Sequence, residues 1–333
     1  MQYDAIYARA VEVLEGAGLS EEWLNLGCET GSQNRLNRAY MDRFVFETRL
    51  IDAEIADTST SLFEVPLSSP IIGSAISRGR VLENIRHESV PWFEKPPYLD
   101  LTAAALGKCG SLMGVGIVEL NELASIASQS VPFYHIVKPY PDETMIRDHI
   151  EAAEELGAVA IGMDITPVFG HKAWNENPSF DTGVQPKTAD QLRSYVESTE
   201  LPFIVKGVLS IRDAQVAQGL GAAGIVISNH GGECIDYSRP ILHALKAIRL
   251  ECPDLTIIVD SGFRRGTDVL KAMCLGADAV AIATPLVVGF AAAGAVGVEA
   301  MYRAIMAELQ RTMSACGFRD VSSIDSSPLF ELS

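Results

Sequence analysis

A histidine flanked by glycines follows a short apolar run in the second half of the chain. The run GIVIS leads into Asn229, His230, Gly231 and Gly232. Glycines beside a histidine leave its ring open to a pocket, and imidazole changes its charge near neutral pH, which suits a general base. A lone histidine is more often structural than catalytic. The position of His230 directly after a predicted strand favours the catalytic interpretation.

Two charged residues end other apolar runs and extend this candidate site. Asp164 ends VAIGMD, and Lys206 ends FIVK. A carboxylate at Asp164 can orient His230 through the second ring nitrogen. A buried lysine is costly unless it meets an anion or hydrogen-bond acceptors. Lys206 therefore either contacts a bound cofactor or forms a structural ion pair with a carboxylate such as Asp164, and the residues alone leave both open.

A third segment has the composition of a phosphate site. In VDSGFRRGTD, small residues let backbone N–H groups approach an anion, while Arg264 and Arg265 offer paired donors. Gly266 opens a predicted helix, whose N-terminus adds partial positive charge. The segment predicts binding of a phosphorylated ligand. The alternative is that both arginines are solvated charges at the start of a helix.

Eight short apolar runs, which alternate with helix-like stretches, carry these residues. The runs are 70–75, 111–115, 133–138, 159–164, 203–206, 224–228, 255–260 and 278–283. Several are apolar throughout, as expected for parallel strands buried on both faces. Eight β/α units predict a closed (β/α)8 TIM barrel of the α/β class, with functional residues at the C-terminal ends of its strands. An open doubly wound sheet is the alternative, but no GxGxxG follows the first run.

The remaining segments are assigned around the barrel. Residues 1–69 are expected to form an N-terminal helical cap with helices over 3–17 and 21–36, residues 70–325 the barrel, and residues 326–333 a C-terminal tail. The connection 166–187 follows the fourth strand at the catalytic face, where long loops are usually lids or substrate walls. The glycine-broken segment 286–298 is expected to be a loop that runs into a helix.

The charge and composition of the chain restrict its partners. The net charge of -17 disfavours nucleic acid, because a phosphate backbone would repel the chain. The sequence shows no signal peptide and no apolar stretch near the length that spans a bilayer, about 20 residues. The six cysteines have no CxxC spacing, so no metal site is expected. We expect a cytoplasmic protein that acts on a small molecule, without nucleic-acid or membrane partners.

Three long motifs resemble one known family. They are FIVKGVLSIRDA at 203–214, GAAGIVISNHGG at 221–232 and VDSGFRRGTDVLKAMCLGADAV at 259–280. They are similar to segments of the FMN-dependent 2-hydroxy acid oxidases and dehydrogenases, a family that includes glycolate oxidase and lactate oxidase. Weaker similarity runs from about residue 45 to about residue 325. The chain looks closest to a short, mainly bacterial branch.

The resemblance implies an FMN-dependent oxidoreductase that oxidises the hydroxyl-bearing carbon of a 2-hydroxy acid or a related substrate. His230 would take the hydroxyl proton while hydride passes to the flavin, Asp164 would hold the histidine, and Lys206 would contact the flavin ring. A homotetramer or larger assembly is also implied. The residues that would line the ring or hold the ribityl chain and phosphate are Ser74, Ala75, Gly114, His135, Ser228, Asp260, Ser261, Gly262, Arg264, Ala283 and Thr284.

The chain departs from the family where substrate carboxylates are bound. Glu233 stands three residues after His230, where the family has a carboxylate-binding arginine. Other positions at which a family arginine or tyrosine is replaced are Val168, Leu24, Val137 or Lys138, and Thr284. A buried carboxylate without a partner is costly, so a simple 2-hydroxy acid needs another cation. The candidates are Lys138, which stands at a strand end, Arg239, His171 and Lys172.

Two other functions follow from these departures. The barrel would serve as a non-redox, FMN-dependent isomerase, or as a flavin-binding barrel whose catalysis is altered. The pairing of His230 with Asp164 favours oxidation over isomerisation. Glu233 is the reason to keep the altered barrel as an alternative.

Overall fold

The computed structural model describes residues 2–16, 27–77, 98–168 and 183–332. In chain order its strands are β1 (Phe44–Phe46), β2 (Thr60–Leu62), β3 (Val65–Leu67), β4 (Ile71–Gly73), β5 (Met113–Val115), β6 (Phe133–Val137), β7 (Ala160–Asp164), β8 (Phe203–Lys206), β9 (Gly224–Ile227), β10 (Thr256–Val259), β11 (Ala279–Ile282) and β12 (Leu329–Glu331). Strands β4 to β11 coincide with the eight predicted runs.

Helices separate the barrel strands and precede them. In chain order they are α1 (Tyr3–Gly16), α2 (Ser32–Asp42), α3 (Tyr98–Lys108), α4 (Leu120–Ala127), α5 (Glu143–Glu155), α6 (Ala189–Val196), α7 (Ile211–Gly219), α8 (Ile241–Glu251), α9 (Gly266–Cys274) and α10 (Thr284–Ala315). Short 3-10 turns cover Thr166–Val168, His230–Gly232 and Val321–Ser323.

Strands β4 to β11 form one parallel sheet that closes on itself. Neighbouring strands pair in the order β4-β11-β10-β9-β8-β7-β6-β5. The two ends of this order meet, because Gly73 N donates to Leu112 O at 2.8 Å and a parallel bridge joins Ile76 to Val115. The predicted (β/α)8 TIM barrel is confirmed.

Alternate residues of the barrel strands face the lumen, and this sets the direction of every side chain at the site. A compact apolar cluster fills the lumen with Ile72, Leu112, Tyr134, Ile136, Ala160, Ile204, Val226, Ile258, Ala279 and Ala281. Because side chains along a strand alternate between its two faces, residues two or four positions further on also face the lumen. Those residues are Ser74, Gly114, Lys138, Asp164, Lys206, Ser228, Asp260 and Ala283.

The N-terminal segment supports both ends of the barrel. The hairpin β2–β3 adds Leu62 and Leu67 to the lumen cluster. Helix α1 packs against α10, and α2 packs against α8 and the His230 turn. The helix predicted over 21–36 starts too early in its described part. Residues 27–31 form a turn, and α2 begins at Ser32. Strand β12 returns to pair with β1.

Helix α10 corrects the expected loop over 286–298. The segment is helical with a kink at Ala293 and Gly294, where Gly294 has φ 56°. The kink lets Gly289 and Gly297 approach so closely that a Cβ on Gly297 would overlap the Gly289 carbonyl. Among the described helices this one is long and apolar enough to cross a membrane, but 61% of its apolar window is buried inside the fold. Its composition therefore reflects packing in the barrel's outer core.

Candidate active site

Five polar side chains form a layer directly above the apolar lumen. They are Lys138, Asp164, Lys206, Ser228 and Asp260, which end strands β6 to β10 or follow them, and all are buried. Buried charges are costly unless they are paired and hydrogen-bonded. The layer therefore depends on its internal pairing.

Asp164 is the shared acceptor of this layer. Its Oδ2 accepts hydrogen bonds from Lys138 Nζ at 2.8 Å and from Lys206 Nζ at 3.2 Å. His230 Nδ1 lies 3.0 Å from the same oxygen. Burial alone would raise the pKa of Asp164, but Lys138, Lys206 and His230 together hold it well below its usual range. Asp164 is thus a fixed negative charge behind the histidine.

Thr166 completes the support of His230, and sequence reasoning missed it. Thr166 donates to Asp164 Oδ1 through both its N–H, at 3.0 Å, and its hydroxyl. Its Oγ1 lies 2.8 Å from His230 Nδ1. Since the threonine proton goes to Asp164, Thr166 and Asp164 both offer lone pairs to Nδ1, which assigns the ring proton to that atom. The signal in the sequence is the Asx-turn spacing of Asp164 and Thr166.

The other ring nitrogen of His230, Nε2, lies on the side of Glu233. His230 has a left-handed backbone with φ 54°, as does Gly231 with φ 65°, and its N–H donates to Ser228 Oγ at 3.1 Å. The side chain is 28% exposed, and Nε2 lies 3.7 Å from Glu233 Oε2. A positive φ is uncommon outside glycine and marks a functional constraint when the surroundings hold it. This turn presents Nε2 as a proton acceptor.

Lys206 lies between two carboxylates. Besides Asp164, it approaches Asp260 Oδ2 at 3.7 Å and donates to Ser228 Oγ at 3.2 Å. Burial lowers the pKa of Lys206, but the two carboxylates outweigh burial and the pKa is raised. The structural ion pair that the sequence left open is therefore present. It also fixes a cation at the top of the lumen.

The other side of the barrel mouth is built from small residues. Ser74, Ala75, Gly114, Gly262 and Ala283 stand there, at or after strands β4, β5, β10 and β11. A Cβ on Gly114 would lie 2.5 Å from the Tyr134 hydroxyl, and Ser74 Oγ donates to Asp260 Oδ2 at 3.2 Å. Gly262 and Ala283 are exposed. This side offers space and backbone rather than charge.

The loop after β10 is fastened to the histidine turn. Ser261, with φ 72°, accepts the N–H groups of Asn229 at 3.3 Å and Gly231 at 3.2 Å on its hydroxyl. The same hydroxyl donates to Asp260 Oδ1 at 2.7 Å. The turn is held from beneath as well, because Asn37 of α2 accepts from Asn229 Nδ2 at 3.2 Å. The two predicted motifs are therefore one structural unit.

Arg265 is not half of a phosphate clamp. It pairs with Glu308 and with Asp4 and lies over the ring of Tyr3, so it faces helix α1. The amides at the start of α9 are also used, since Gly266 N donates to Glu308 Oε2 and Arg265 N donates to Asp268 Oδ2. The phosphate expectation rests on the partly buried Arg264 with Gly262, Ala283 and Thr284.

His135 does not face the barrel lumen, which corrects the expectation that it lines the flavin ring. Its Nδ1 lies 3.1 Å from Val115 O, and its Nε2 lies 3.0 Å from His149 Nδ1 on α5. Burial, together with His149, lowers the pKa of His135 to about 3. Lumen-facing residues of β6 are Tyr134 and Ile136. Tyr134 donates its hydroxyl to Gly73 O at 2.9 Å, so it is the β6 residue beside the small-residue side.

The expected substrate cations are placed unevenly. Lys138 is buried, and Asp164 already accepts its hydrogen bond, so it would have to exchange that partner to bind a substrate carboxylate. Burial lowers the pKa of Lys138, although Asp164 opposes this shift. Arg239 is exposed in the loop before α8. His171, Lys172 and Leu24 lie outside the described residues, as does most of the connection 166–187.

The donor set fits FMN. The ammonium of Lys206 can face the electron-rich edge of a flavin, the hydroxyls of Ser74 and Ser228 stand beside it, and Arg264 can bind a phosphate. A Cβ on Gly231 would meet nothing within 4 Å, so this turn borders open space. The small-residue side supplies the room that a ring needs.

Comparisons with known proteins agree with this assignment. The profile of the family described as FMN-dependent dehydrogenase matches residues 19–193 and 179–331. Glycolate oxidase 1 of Zea mays is 28% identical over 97% of this chain and 93% of its own, and a peroxisomal (S)-2-hydroxy-acid oxidase of Oryza sativa subsp. japonica is 27% identical over 92% and 90%. A mandelate oxidase mutant solved with a monooxide FMN adduct has a TM-score of 0.82 at 25% identity, covering 96% of this chain and 98% of its own.

Proposed function

Because the chain belongs to the FMN-dependent dehydrogenase family, we propose that it oxidises the hydroxyl-bearing carbon of a 2-hydroxy acid or a related 2-hydroxy compound, with His230 as the base. One observation carries this proposal. Asp164 and Thr166 lie 3.0 Å and 2.8 Å from His230 Nδ1, which leaves Nε2 as the proton acceptor.

The residues divide the work of the reaction. His230 Nε2 takes the proton of the substrate hydroxyl, and Asp164 stabilises the imidazolium that forms. FMN, when bound, would supply the acceptor for the carbon-bound hydrogen and its electron pair. Lys206 would hold the electron-rich edge of the ring with its ammonium. A positioned base of this kind contributes a factor of about 10²–10⁴ to the rate.

Other residues are proposed to hold the cofactor. Around the ring we place Ser74, Ala75, Gly114 and Ser228, and Tyr134 in place of His135. The ribityl chain and phosphate are assigned to Asp260, Ser261, Gly262, Arg264, Ala283 and Thr284. A non-redox isomerase is not favoured, since the relatives reported above are oxidases by name.

The test begins with FMN binding. Apoprotein titrated with FMN should quench the fluorescence of free FMN and acquire flavin absorbance bands. Anaerobic mixing with a panel of 2-hydroxy compounds should then bleach those bands. Failure to bind FMN, or bleaching by no member of the panel while dithionite still reduces the flavin, would refute the proposal.

A variant tests the base directly. His230→Gln should keep FMN bound but slow anaerobic bleaching by about 10²–10⁴. The matched control is His243→Gln, since His243 is exposed and makes an edge-to-face contact with Tyr40 outside the site. Unchanged bleaching in the His230 variant would remove the histidine from the reaction.

The remaining expectations stay proposals. They are the division into residues 1–69, 70–325 and 326–333, a cytoplasmic location, and a homotetramer or larger assembly. Light scattering of the FMN-loaded protein measures the assembly.

A further inference from the structure

Helix α2 packs beside the barrel and is joined to both loops that the proposed reaction needs. Its Asn37 is buried and is hydrogen-bonded to the turn that carries His230. The next residue, Arg38, pairs with Asp268, whose carboxylate also binds the loop 261–265. Asn37 and Arg38 therefore act on the site through other residues.

Asn37 Oδ1 is a shared acceptor for three donors. Gln33 Nε2 and Asn229 Nδ2 donate to it at 3.2 Å each, and Ile241 N donates to it at 3.3 Å. The donor on Ile241 is a backbone N–H, which identifies the accepting atom of Asn37 as the oxygen. Only 1% of Asn37 is exposed, and a buried donor that loses its acceptor is costly. Asn229, the residue before His230, is therefore held to α2.

The turn that carries His230 also packs closely on α2. Gly232 in this turn has φ 88°, and a Cβ placed on it would lie 3.3 Å from Gln33 Cβ. The histidine ring must keep its Nδ1 3.0 Å from Asp164 Oδ2 to retain its support. A shift of the turn relative to α2 would move the ring away from this oxygen. The contact with Asn37 thus contributes to the orientation of the base.

Arg38 holds the loop 261–265 through a buried carboxylate. Its Nη1 and Nη2 donate to Asp268 Oδ2 and Oδ1 at 3.0 and 2.9 Å. Asp268 Oδ2 also accepts the N–H groups of Arg264 and Arg265, each at 3.1 Å. A bidentate arginine fixes the geometry of a carboxylate as well as its charge. Arg38 therefore helps to set the position of the loop backbone at Arg264.

The same pair sets the charge of this segment. Asp268 is 3% exposed, and a phosphate that binds Arg264 meets its carboxylate in the same segment of chain. Like charges at short range repel, and a guanidinium on the carboxylate opposes that repulsion. Asp42 holds Arg38 from a second direction, at 2.8 Å. Arg38 thus lets Asp268 bind the loop amides while its negative charge is offset.

We propose that α2 is a positioning element of the site, in which Asn37 positions the base and Arg38 positions the loop that binds the cofactor phosphate. This inference rests on the proposed function, because it takes His230 as the base and Arg264 as a phosphate ligand. The two residues are adjacent in the chain but act on different loops. Their substitutions should therefore change different properties of the enzyme.

Flavins with and without a phosphate test the role of Arg38. Apoprotein is titrated with FMN and with riboflavin, and binding is read from flavin fluorescence. Arg38→Met should lower FMN affinity about tenfold or more and riboflavin affinity by less than about threefold, since a charged hydrogen-bonded pair is lost behind the phosphate loop alone. Arg38→Lys, which keeps the charge but not the bidentate geometry, should fall between.

Arg303→Met is the matched control for Arg38→Met. It removes the same charge, and Arg303 pairs with Glu299 within α10 at 3.0 Å. Its affinities for both flavins should be those of the unmodified chain. Equal losses of FMN and riboflavin affinity in Arg38→Met, or no loss of FMN affinity, would overturn the role of Arg38.

The ring nitrogens of His230 test the role of Asn37 without turnover. In apoprotein that carries ¹⁵N-labelled histidine, NMR shows which ring nitrogen is protonated, and His230→Gln identifies the signals. The unmodified chain should carry the proton on Nδ1, whereas Asn37→Leu should give a mixture of both tautomers. Anaerobic bleaching of the FMN-loaded variant should slow by about 10²-fold, the effect of a misplacement of about 1 Å.

Two further variants make this measurement decisive. Asn37→Asp keeps an acceptor oxygen and should preserve the His230 signals of the unmodified chain. Asn37→Ser, whose side chain is shorter, replaces Asn37→Leu if that variant does not fold. Unchanged His230 signals in a folded Leu or Ser variant would refute the role of Asn37. Equal changes in Arg38→Met would show that the two residues do not act on separate loops, and would refute the proposal.

These readouts separate the inference from the proposed reaction. Ring signals and flavin affinities are measured without substrate, so they decide the roles of Asn37 and Arg38 even if no 2-hydroxy compound bleaches the flavin. If the unmodified protein does not bind FMN, the proposed function and the role of Arg38 both fail.

Discussion

The two sides of the barrel mouth differ in their residues, since one carries small residues and the other carries charged ones. On the side of β4, β5 and β11, the residues at or just after the strand ends are Ser74, Gly114 and Ala283, which offer room and backbone. On the side of β6 to β8, the corresponding residues are lysine and aspartate, whose charges are paired beneath the surface. The first side suits a flat cofactor with a phosphate tail. The second suits a reaction in which charge must be held still while a proton moves.

The difference teaches that binding and chemistry depend on separate parts of one layer. Lys206 belongs to both sides, because it contacts Asp164 on one flank and Asp260 on the other. Asp164 belongs to the charged side alone. Substitutions that separate the two functions therefore test the division.

Asp164→Asn should have the largest effect. Removing one partner of a buried ion pair costs about 3–5 kcal/mol, because the remaining charges stay buried and unpaired. The unfolding free energy of the apoprotein, from urea denaturation, should fall by that amount. Anaerobic bleaching should also slow by about 10²–10⁴, since the imidazolium loses its counter-charge.

Asp278→Asn is the matched control for this change. Asp278 pairs with Arg249 at 2.6 Å, but its side chain is 48% exposed, and exposed pairs contribute about 0–1 kcal/mol. If Asp164→Asn cost no more than Asp278→Asn, the charged side would not be the electrostatic support of the layer.

Lys206→Met should have the next largest effect, because it removes the cation proposed to contact the cofactor as well as one partner of Asp164. A hydrogen bond to a charged group contributes about 1.5–3 kcal/mol, so FMN affinity should fall by about 10- to 150-fold. Fluorescence titration of apoprotein with FMN measures it. Lys138→Met is the matched control, because Lys138 donates to the same Asp164 oxygen from the other side.

The comparison of the two lysine variants decides whether the sides are separate. Lys138→Met should keep FMN affinity within about threefold, since Lys138 pairs with Asp164, whereas Lys206 also reaches Asp260 and Ser228. An equal loss of affinity in both variants would mean that cofactor binding depends on the whole charged layer.

The sequence predicts the barrel well because its signal is local. Parallel strands buried on both faces are apolar throughout, and all eight runs are strands. Segment 286–298 was mispredicted because glycine usually marks a loop. In α10, Gly289 and Gly297 instead permit a close approach across a kink, which depends on contacts between residues eight positions apart.

The sequence predicts which residues form the candidate site better than it predicts which of them contact each other. His230, Asp164 and Lys206 stand at strand ends, which the runs reveal. The sharing of Asp164 by two lysines and His230, and the contact of Thr166 with His230, depend on distances between strands that the sequence does not give. His135 shows a different failure, because the burial of every residue in β6 hides which alternate face is inward. Lys138 would have indicated which residues of β6 face the lumen. Side chains alternate along a strand, so a lumen-facing Lys138 implies a lumen-facing Tyr134.

The smallest predicted effect, on stability at acid pH, tests the corrected assignment that His135 faces away from the lumen. The pKa of His135 falls from 6.5 to about 3 because burial and His149 disfavour its charged form. The unfolded state then binds more protons below pH 6.5, so this contribution to stability is full above pH 6.5 and is lost as pH falls toward 3. Between pH 8 and pH 5.5 the loss should be on the order of 1 kcal/mol.

His135→Gln should remove this acid sensitivity while leaving FMN affinity unchanged. The measurement is the unfolding free energy of the apoprotein at pH 8 and pH 5.5, with the exposed His243→Gln as control. Gln at position 135 does not titrate, so its stability should fall less on acidification than that of the unmodified chain, whereas the control should fall as much. A lower FMN affinity in His135→Gln would place residue 135 on the cofactor side after all, and would reverse the phase on which the comparison of the two sides depends.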